Sequence, residues 1–111
     1  MINGGTFSSA SLLSSNLKGS GRATFVGEET GGAYNGAVAG SFARYQLPAS
    51  NLKIVFGLAL IQPHYKSEIE GRGIFPDKEI TPTIDDRMNN SDPELNWIIE
   101  QIHSAARINQ N

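Results

Sequence analysis

Asn3-Gly4-Gly5-Thr6-Phe7-Ser8-Ser9-Ala10-Ser11-Leu12-Leu13 opens the chain, and the way this stretch folds decides the rest. Two adjacent glycines permit a tight turn. A cluster of small hydroxyl residues then leads into Leu12, Leu13 and Leu17, which have helical spacing. Met1–Gly5 is therefore expected to be a strand end and its turn. A helix is expected from Ser8 to about Lys18, with Thr6 or Ser8 as its cap. A serine at a helix start sits among unpaired backbone N–H groups at the positive end of the helix dipole, an arrangement that can stabilise a developing oxyanion. The stretch lies at the extreme N-terminus, so half of any such active site is expected outside this chain.

Beyond it, Gly19-Ser20-Gly21 ends the helix and Arg22–Glu28 has the character of a strand. Thr30–Gly36 is a glycine-rich loop. Strands are expected at about Ala37–Leu47 and Leu52–Gln62, joined by a turn over Pro48–Asn51. Residues 54–61 are nearly all apolar, which predicts a strand buried on both faces in the same sheet as Arg22–Glu28. Pro63–Arg72 is a polar loop, Gly73–Asp77 a short turn and Glu79–Ile84 a short extended stretch. Ser91-Asp92-Pro93-Glu94 combines a capping box with an early proline and starts a helix. Leu95, Ile98, Ile99 and Ile102 give that helix one apolar face, running to about Arg107. With no repeat or linker, this order implies one α/β or α+β domain.

Composition narrows the function classes. The 111 residues suffice for one small domain. Leu, Ile, Val and Phe make up about a quarter of the chain, above the level of disordered sequences. Nine basic and eleven acidic residues give a net charge of −2 with no basic run, which argues against nucleic acid as a partner. There is no cysteine, so disulfides and thiolate metal sites are excluded. No apolar run approaches a membrane span and no charged-then-apolar leader precedes the opening motif. Localisation stays open, the parent being periplasmic or in the cell envelope if secreted.

On residue spacing alone, the candidate chemistry is thin. Ser8 has the ordinary job of a helix cap, and its surroundings are not a Gly-x-Ser-x-Gly elbow. Gly31-Gly32-Ala33-Tyr34-Asn35-Gly36 lacks the Gly-Lys-Ser/Thr ending of a P-loop and suggests a mobile loop or hairpin. His64 and His103 are isolated from other ligand-type residues, so no metal site is expected. Glu68 and Glu70 lie in a polar loop where solvated carboxylates are the rule.

Taken in order, three segments carry more. Asn3-Gly-Gly-Thr-Phe-Ser-Ser-Ala-Ser11 comes first, then Gly21-Arg-Ala-Thr-Phe-Val-Gly-Glu-Glu-Thr-Gly-Gly32, then Glu70-Gly-Arg-Gly-Ile-Phe-Pro-Asp77. Together they resemble the serine peptidase family of C-terminal processing (tail-specific) proteases and tricorn core proteases, over about Met1 to Ile84. The resemblance implies an α/β fold of crotonase/ClpP-like type, a mainly β layer with packed helices. It makes residues 1–111 the C-terminal segment of a single peptidase-like catalytic domain. It implies peptide-bond hydrolysis through an acyl-enzyme, no cofactor, no metal, and a peptide or protein substrate.

Carried over position by position, the nucleophile falls on Ser8 and one oxyanion donor on the backbone N–H of Ser9. Tail-specific proteases activate their serine with a lysine, but Ala33 stands in its place here and cannot accept a proton. The tricorn-like branch uses a histidine oriented by a glutamate before the Gly-x-Pro-Asp-type turn, a position that Glu70 occupies. Neither His64 nor His103 matches that histidine. The resemblance thus implies a serine-type peptidase whose active site is incomplete in this chain, inactive alone. Self-association or pairing with a missing N-terminal half is expected. The alternatives are a non-catalytic binding module of the same fold, taking an apolar ligand or peptide, and a degenerate remnant.

Overall fold

The computed structural model describes residues 1–108. Its order is α1 (Ser9–Gly19), β1 (Val26–Gly27), β2 (Ala37–Gln46), β3 (Lys53–Ile61), β4 (Lys78–Glu79), α2 (Ile84–Met88) and α3 (Pro93–Ile108). Three short parallel segments form the centre. β1 pairs with β4, and Ile2 bridges Gly27 on the other side of β1. The bonds are regular: Ile2 N–H donates to Val26 O at 2.9 Å, Glu28 N–H to Ile2 O at 2.9 Å and Ile80 N–H to Gly27 O at 2.9 Å. Ile2 and β1 are parallel neighbours, so α1 between them is a crossover helix.

The core here is small. Ile2, Phe25, Val26 and Ile74 are its buried apolar residues, and Leu17, Ala23 and Tyr34 pack against them. Of the leucines of helix α1, Leu17 packs against the core. The buried residues of α1 are Ser11, Ser14 and Ser15, while Leu13 is 62% exposed. Apolar spacing located the helix, and its buried positions are serines, of which Ser11 lies against Gly32. The strand expected over Arg22–Glu28 shrinks to β1, because only Val26 and Gly27 find ladder partners.

β2 and β3 form an antiparallel pair, in register from Gln46↔Lys53 to Ala37↔Ile61, with an irregularity between Ala39 and Phe42. The turn joining them closes on Leu47, whose N–H and C=O bond Leu52 O and Asn51 N–H. This hairpin is a sheet of its own, so the expectation of a common sheet with Arg22–Glu28 is corrected. The expectation of burial on both faces is corrected too: of residues 53–61 only Gly57 is partly buried and the rest are exposed. An all-apolar run has the same composition whether its faces are covered or bare. The hairpin makes the molecule elongated, 72 × 37 × 21 Å. Its radius of gyration is 18.9 Å, against about 13 Å for a compact chain of this length.

The C-terminal helices follow their caps. Thr83 and Asp86 form a reciprocal capping box that starts α2, where the sequence suggested only extended chain up to Ile84. Asp92 Oδ1 accepts from Leu95 N–H at 2.9 Å and starts α3, with Pro93 in the first turn. α3 lies near β1, where Trp97, Ile98 and Ile102 line a cleft with Thr24 and Val26. Leu95, Ile99 and Ile102 stay exposed, so the expected apolar face of α3 is only partly covered. No helix among the described residues is long and apolar enough to cross a membrane.

Candidate active site

Strand, turn and helix converge on Ser8. Gly5 N–H donates to Asn3 Oδ1 at 2.8 Å, Asn3 N–H to Thr6 Oγ1 at 3.1 Å, and Thr6 N–H to Asn3 O at 2.8 Å. This closed turn reverses the chain within four residues of the Ile2 bridge. Thr6 serves the turn, and Ser8 occupies the N-cap position of α1. Ser8 has φ 52° and ψ −121°, and its side chain makes no capping bond. Among the described residues the other non-glycine positions of positive φ are Asn51 and Asn90, a residue type that tolerates such geometry far better than serine. A conformation of this kind costs about 1–3 kcal/mol and persists only where its surroundings impose it. Ser8 is exposed, and the adjoining Ser9 N–H has no hydrogen-bond partner among the described residues.

Ser8 opens on a cleft of about 380 Å³, lined also by Phe7, Gly31, Gly32, Ala33, Gly36, Ala37 and Val38. None of these has an ionisable side chain. The glycine-rich loop forming one wall is not the loose segment its composition suggested. Gly32 N–H donates to Thr6 O at 3.1 Å, Ser11 Oγ to Ala33 O at 3.1 Å and Ser15 Oγ to Tyr34 O at 2.8 Å. Thr30 is the hub on its other side. Its N–H donates to Ile74 O at 3.1 Å, and its Oγ1 accepts from Ile74 N–H at 2.8 Å while donating to Gly32 O at 2.8 Å. A Cβ on Gly31 would stand 2.2 Å from Gly4 O, and one on Gly32 2.5 Å from Ser11 Cβ. Gly31 meets backbone and Gly32 meets the Ser11 side chain, so a Cβ at either position would clash.

Glu70 is exposed and lines a neighbouring cleft of about 370 Å³ with Ala33, Asn35, Gly36, Leu60, Gln62, Lys66 and Gly71. Its Oε1 accepts from Asn35 Nδ2 at 2.9 Å, and Asn35 also bonds the backbone of Ser67 in both directions. The clefts of Ser8 and Glu70 have Ala33 and Gly36 in common but are separate clefts. His64 lines neither of them. Its N–H donates to Asn16 Oδ1, and Asn16 lies eight residues along α1 from Ser8, about 12 Å of helix rise. His103 is exposed on α3.

Two acidic residues that sequence reasoning passed over hold the scaffold. Glu29 takes a two-pronged bond from Arg72, from Nε at 2.9 Å and from Nη2, and a third from Gly73 N–H at 2.8 Å. The Arg72 guanidinium, then the Gly73 N–H, hold the Glu29 carboxyl at about 2, against 4.5 ordinarily. Asp77 pairs with Lys18 Nζ, and its Oδ2 accepts from Phe25 N–H at 2.8 Å. Those two donors, Lys18 first, keep its carboxyl below the usual range. Partners 43 to 59 residues apart leave no trace in local spacing. The one available signal was the position of both carboxylates inside the segments at 21–32 and 70–77 that carry the family resemblance.

The arrangement is that of a serine hydroxyl presented at a helix start, beside a free backbone donor and against a glycine-built wall. A family model described as peptidase family S41 matches residues 1–80, which take in Ile2, α1, β1, the hairpin and β4. The chain belongs to peptidase family S41, a family of serine peptidases, and its mixed helices and small sheets agree with an α/β peptidase fold. No curated protein matches it.

Proposed function

We propose that Ser8 is the nucleophile of an endopeptidase site of the tail-specific or tricorn-like type, in a fold of crotonase/ClpP-like kind. In this reading Ser8 Oγ attacks the carbonyl carbon of a peptide bond while a base takes its proton. The Ser9 N–H donates to the resulting oxyanion. The C–N bond then breaks, the amine leaves with that proton, and water hydrolyses the Ser8 acyl ester. Glu70 orients a histidine base supplied by other sequence. The observation that carries the reading is the strained, exposed Ser8 with φ 52° and ψ −121° and no structural hydrogen bond of its side chain. Ala33, at the position of the tail-specific lysine, also lines the Ser8 cleft, which supports the carry-over of positions.

Because the lining of that cleft contains no base, the chain by itself is inactive in this reading. Losing one triad member typically removes several orders of magnitude in rate. A fluorophosphonate probe tests both halves. Alone, the chain stays unlabelled. With imidazole added at high concentration as an external base, Ser8 becomes labelled and Ser8→Ala does not. Robust labelling without imidazole would show that a base is already present, and labelling at another serine would remove Ser8 from the role. The apolar walls of the cleft, Phe7, Ala37 and Val38, favour a second reading as a non-catalytic module binding an apolar group. A chain that never labels but binds an apolar fluorophore there would support it.

A further inference from the structure

Asparagine is followed by glycine twice in the chain, at Asn3-Gly4 and at Asn35-Gly36. Such a pair is chemically labile, because the next residue's amide nitrogen attacks the asparagine Cγ and glycine has no Cβ to obstruct it. The fold treats the two pairs differently. Asn35 is half-buried and its side-chain amide is held from three directions. Its Nδ2 donates to Ser67 O at 2.8 Å and to Glu70 Oε1 at 2.9 Å, and its Oδ1 accepts from Ser67 N–H at 2.7 Å. Asn3, Gly4 and Gly5 are exposed, and a Cβ on Gly4 would meet nothing within 4 Å. Neither Asn3 Nδ2 nor Gly4 N–H has a hydrogen-bond partner among the described residues. Asn3 Oδ1 has one, the Gly5 N–H at 2.8 Å. That bond closes a ring containing both Cγ and the Gly4 nitrogen, and it sets a donor on the oxygen that gains charge when the nitrogen attacks.

We infer that Asn3 is a site of spontaneous deamidation, and that its isoaspartate product dismantles the turn that presents Ser8. The Gly4 nitrogen, its proton taken by hydroxide, bonds to Asn3 Cγ. The Cγ–Nδ2 bond breaks, and Nδ2 leaves as ammonia after taking a proton from water. Water then opens the cyclic imide. Cleavage between the nitrogen and Cγ gives aspartate on the original backbone. Cleavage between the nitrogen and the former main-chain carbonyl carbon gives isoaspartate, whose main chain runs through Cβ and Cγ and is one carbon longer. Aspartate keeps an acceptor for Gly5 N–H, so the turn stands. Isoaspartate takes the carbonyl that accepts from Thr6 N–H at 2.8 Å out of the main chain, between the Ile2 bridge and the strained Ser8. Loss of the nucleophile's presentation rests on the reading of Ser8 proposed above; the modification itself does not.

The folded chain is held in mildly alkaline buffer and followed by peptide mass spectrometry, with enzymatic methylation of isoaspartate to separate the two products. Asn3 should exchange –NH2 for –OH with release of ammonia. Asn35 should react slower by at least about tenfold, because reaching the attack geometry breaks its three hydrogen bonds. In urea the two rates should converge. Gly4→Ala, whose Cβ disturbs nothing in the fold, should slow Asn3 by about tenfold by standing beside the attacking nitrogen. Equal rates at Asn3 and Asn35 in the folded chain, or an Asn3 rate indifferent to Gly4→Ala, would overturn the site. Hydrogen exchange reads the turn without any probe: Thr6 N–H should stay protected in the aspartate form and lose protection in the isoaspartate form. Equal protection in both would overturn the structural consequence. Fluorophosphonate labelling with imidazole should then mark Ser8 in aspartate molecules and spare isoaspartate ones. A chain that never labels, even before ageing, counts against Ser8 as nucleophile and leaves the mass and exchange results to decide the fate of Asn3.

Discussion

Thr30→Val separates hydrogen bonding from packing at the centre of the site scaffold. Valine has nearly the shape of threonine but no hydroxyl. Thr30 is 5% exposed, and its Oγ1 satisfies two buried backbone groups at once, Ile74 N–H at 2.8 Å and Gly32 O at 2.8 Å. Ile74 is 0% exposed, so water cannot replace the lost partner at its N–H. Leaving a buried group unsatisfied costs about 1–3 kcal/mol, so losing both partners should destabilise by about 2–5 kcal/mol. Thr30→Ser keeps the hydroxyl and loses one methyl, about 0.8–1 kcal/mol of burial. Urea unfolding followed by circular dichroism at unchanged m-value gives both numbers. Burial alone orders the variants oppositely, with valine the more stable. If Thr30→Val unfolds at a urea concentration equal to or above that of Thr30→Ser, the hub role assigned to Thr30 is wrong.

Four further outcomes follow from the same geometry. Gly32→Ala forces a Cβ to 2.5 Å from Ser11 Cβ and 3.3 Å from Phe7 Cα, and overpacking of that kind costs about 1–3 kcal/mol. Gly4→Ala, with nothing within 4 Å of its Cβ, should melt within a degree or two of the parent. The Glu29 carboxyl titrates at about 2 in the fold and near 4.5 ordinarily, so the unfolded chain takes up its proton first as pH falls. The stability it contributes is therefore complete above about pH 5 and is lost as pH falls toward 2. Glu29→Gln should flatten, in part, the acid limb of urea midpoints measured across that window, with the lowered carboxyl of Asp77 supplying slope that remains. Ser8→Gly should raise the melting temperature by a few degrees, because glycine adopts positive φ without the serine's steric cost, while abolishing any probe labelling. A fall in stability would mean that the Ser8 side chain has a structural partner.

What could be read from the chain was local. Ser8 at a helix start, the turn built on Asn3, Gly4 and Gly5, the hairpin strands and the Pro93 helix start all depend on residues within a few positions of one another. Three backbone segments were recognisable as a set because each supplies one part of a single knot: Thr6 and Ser11, then Thr30–Tyr34, then Arg72–Ile74. What could not be read was what covers what. Leu12, Leu13 and Leu17 have helical spacing, yet the fully buried positions of α1 are Ser11, Ser14 and Ser15, with Gly32 closely approaching Ser11, and Leu17 packs against the core only in part. The apolar run in β3 has no periodicity to distinguish two covered faces from two bare ones. The clamps Glu29–Arg72 and Lys18–Asp77 join residues far apart in sequence, whose charges look solvated one at a time.

The same contacts separate the recognisable residues with a structural role from the one proposed for chemistry. Each small or polar residue of the knot has a structural reason: Gly31 and Gly32 allow close approach, Thr30 satisfies two buried groups, and Asp77 ties Lys18 to Phe25 N–H. Removing any of them loses a contact in the fold. Ser8 is the exception. Its hydroxyl makes no capping bond, it is exposed, and it sits at φ 52° where a serine is under strain. A helix cap gains stability by bonding the second or third N–H of its helix, and Ser8 does not make that bond. Selection for stability would favour glycine at such a position, or a serine with extended φ that caps. A side chain that costs stability and returns none to the fold supports the proposal that Ser8 acts through what it presents to the cleft, an exposed hydroxyl beside a Ser9 N–H with no partner among the described residues.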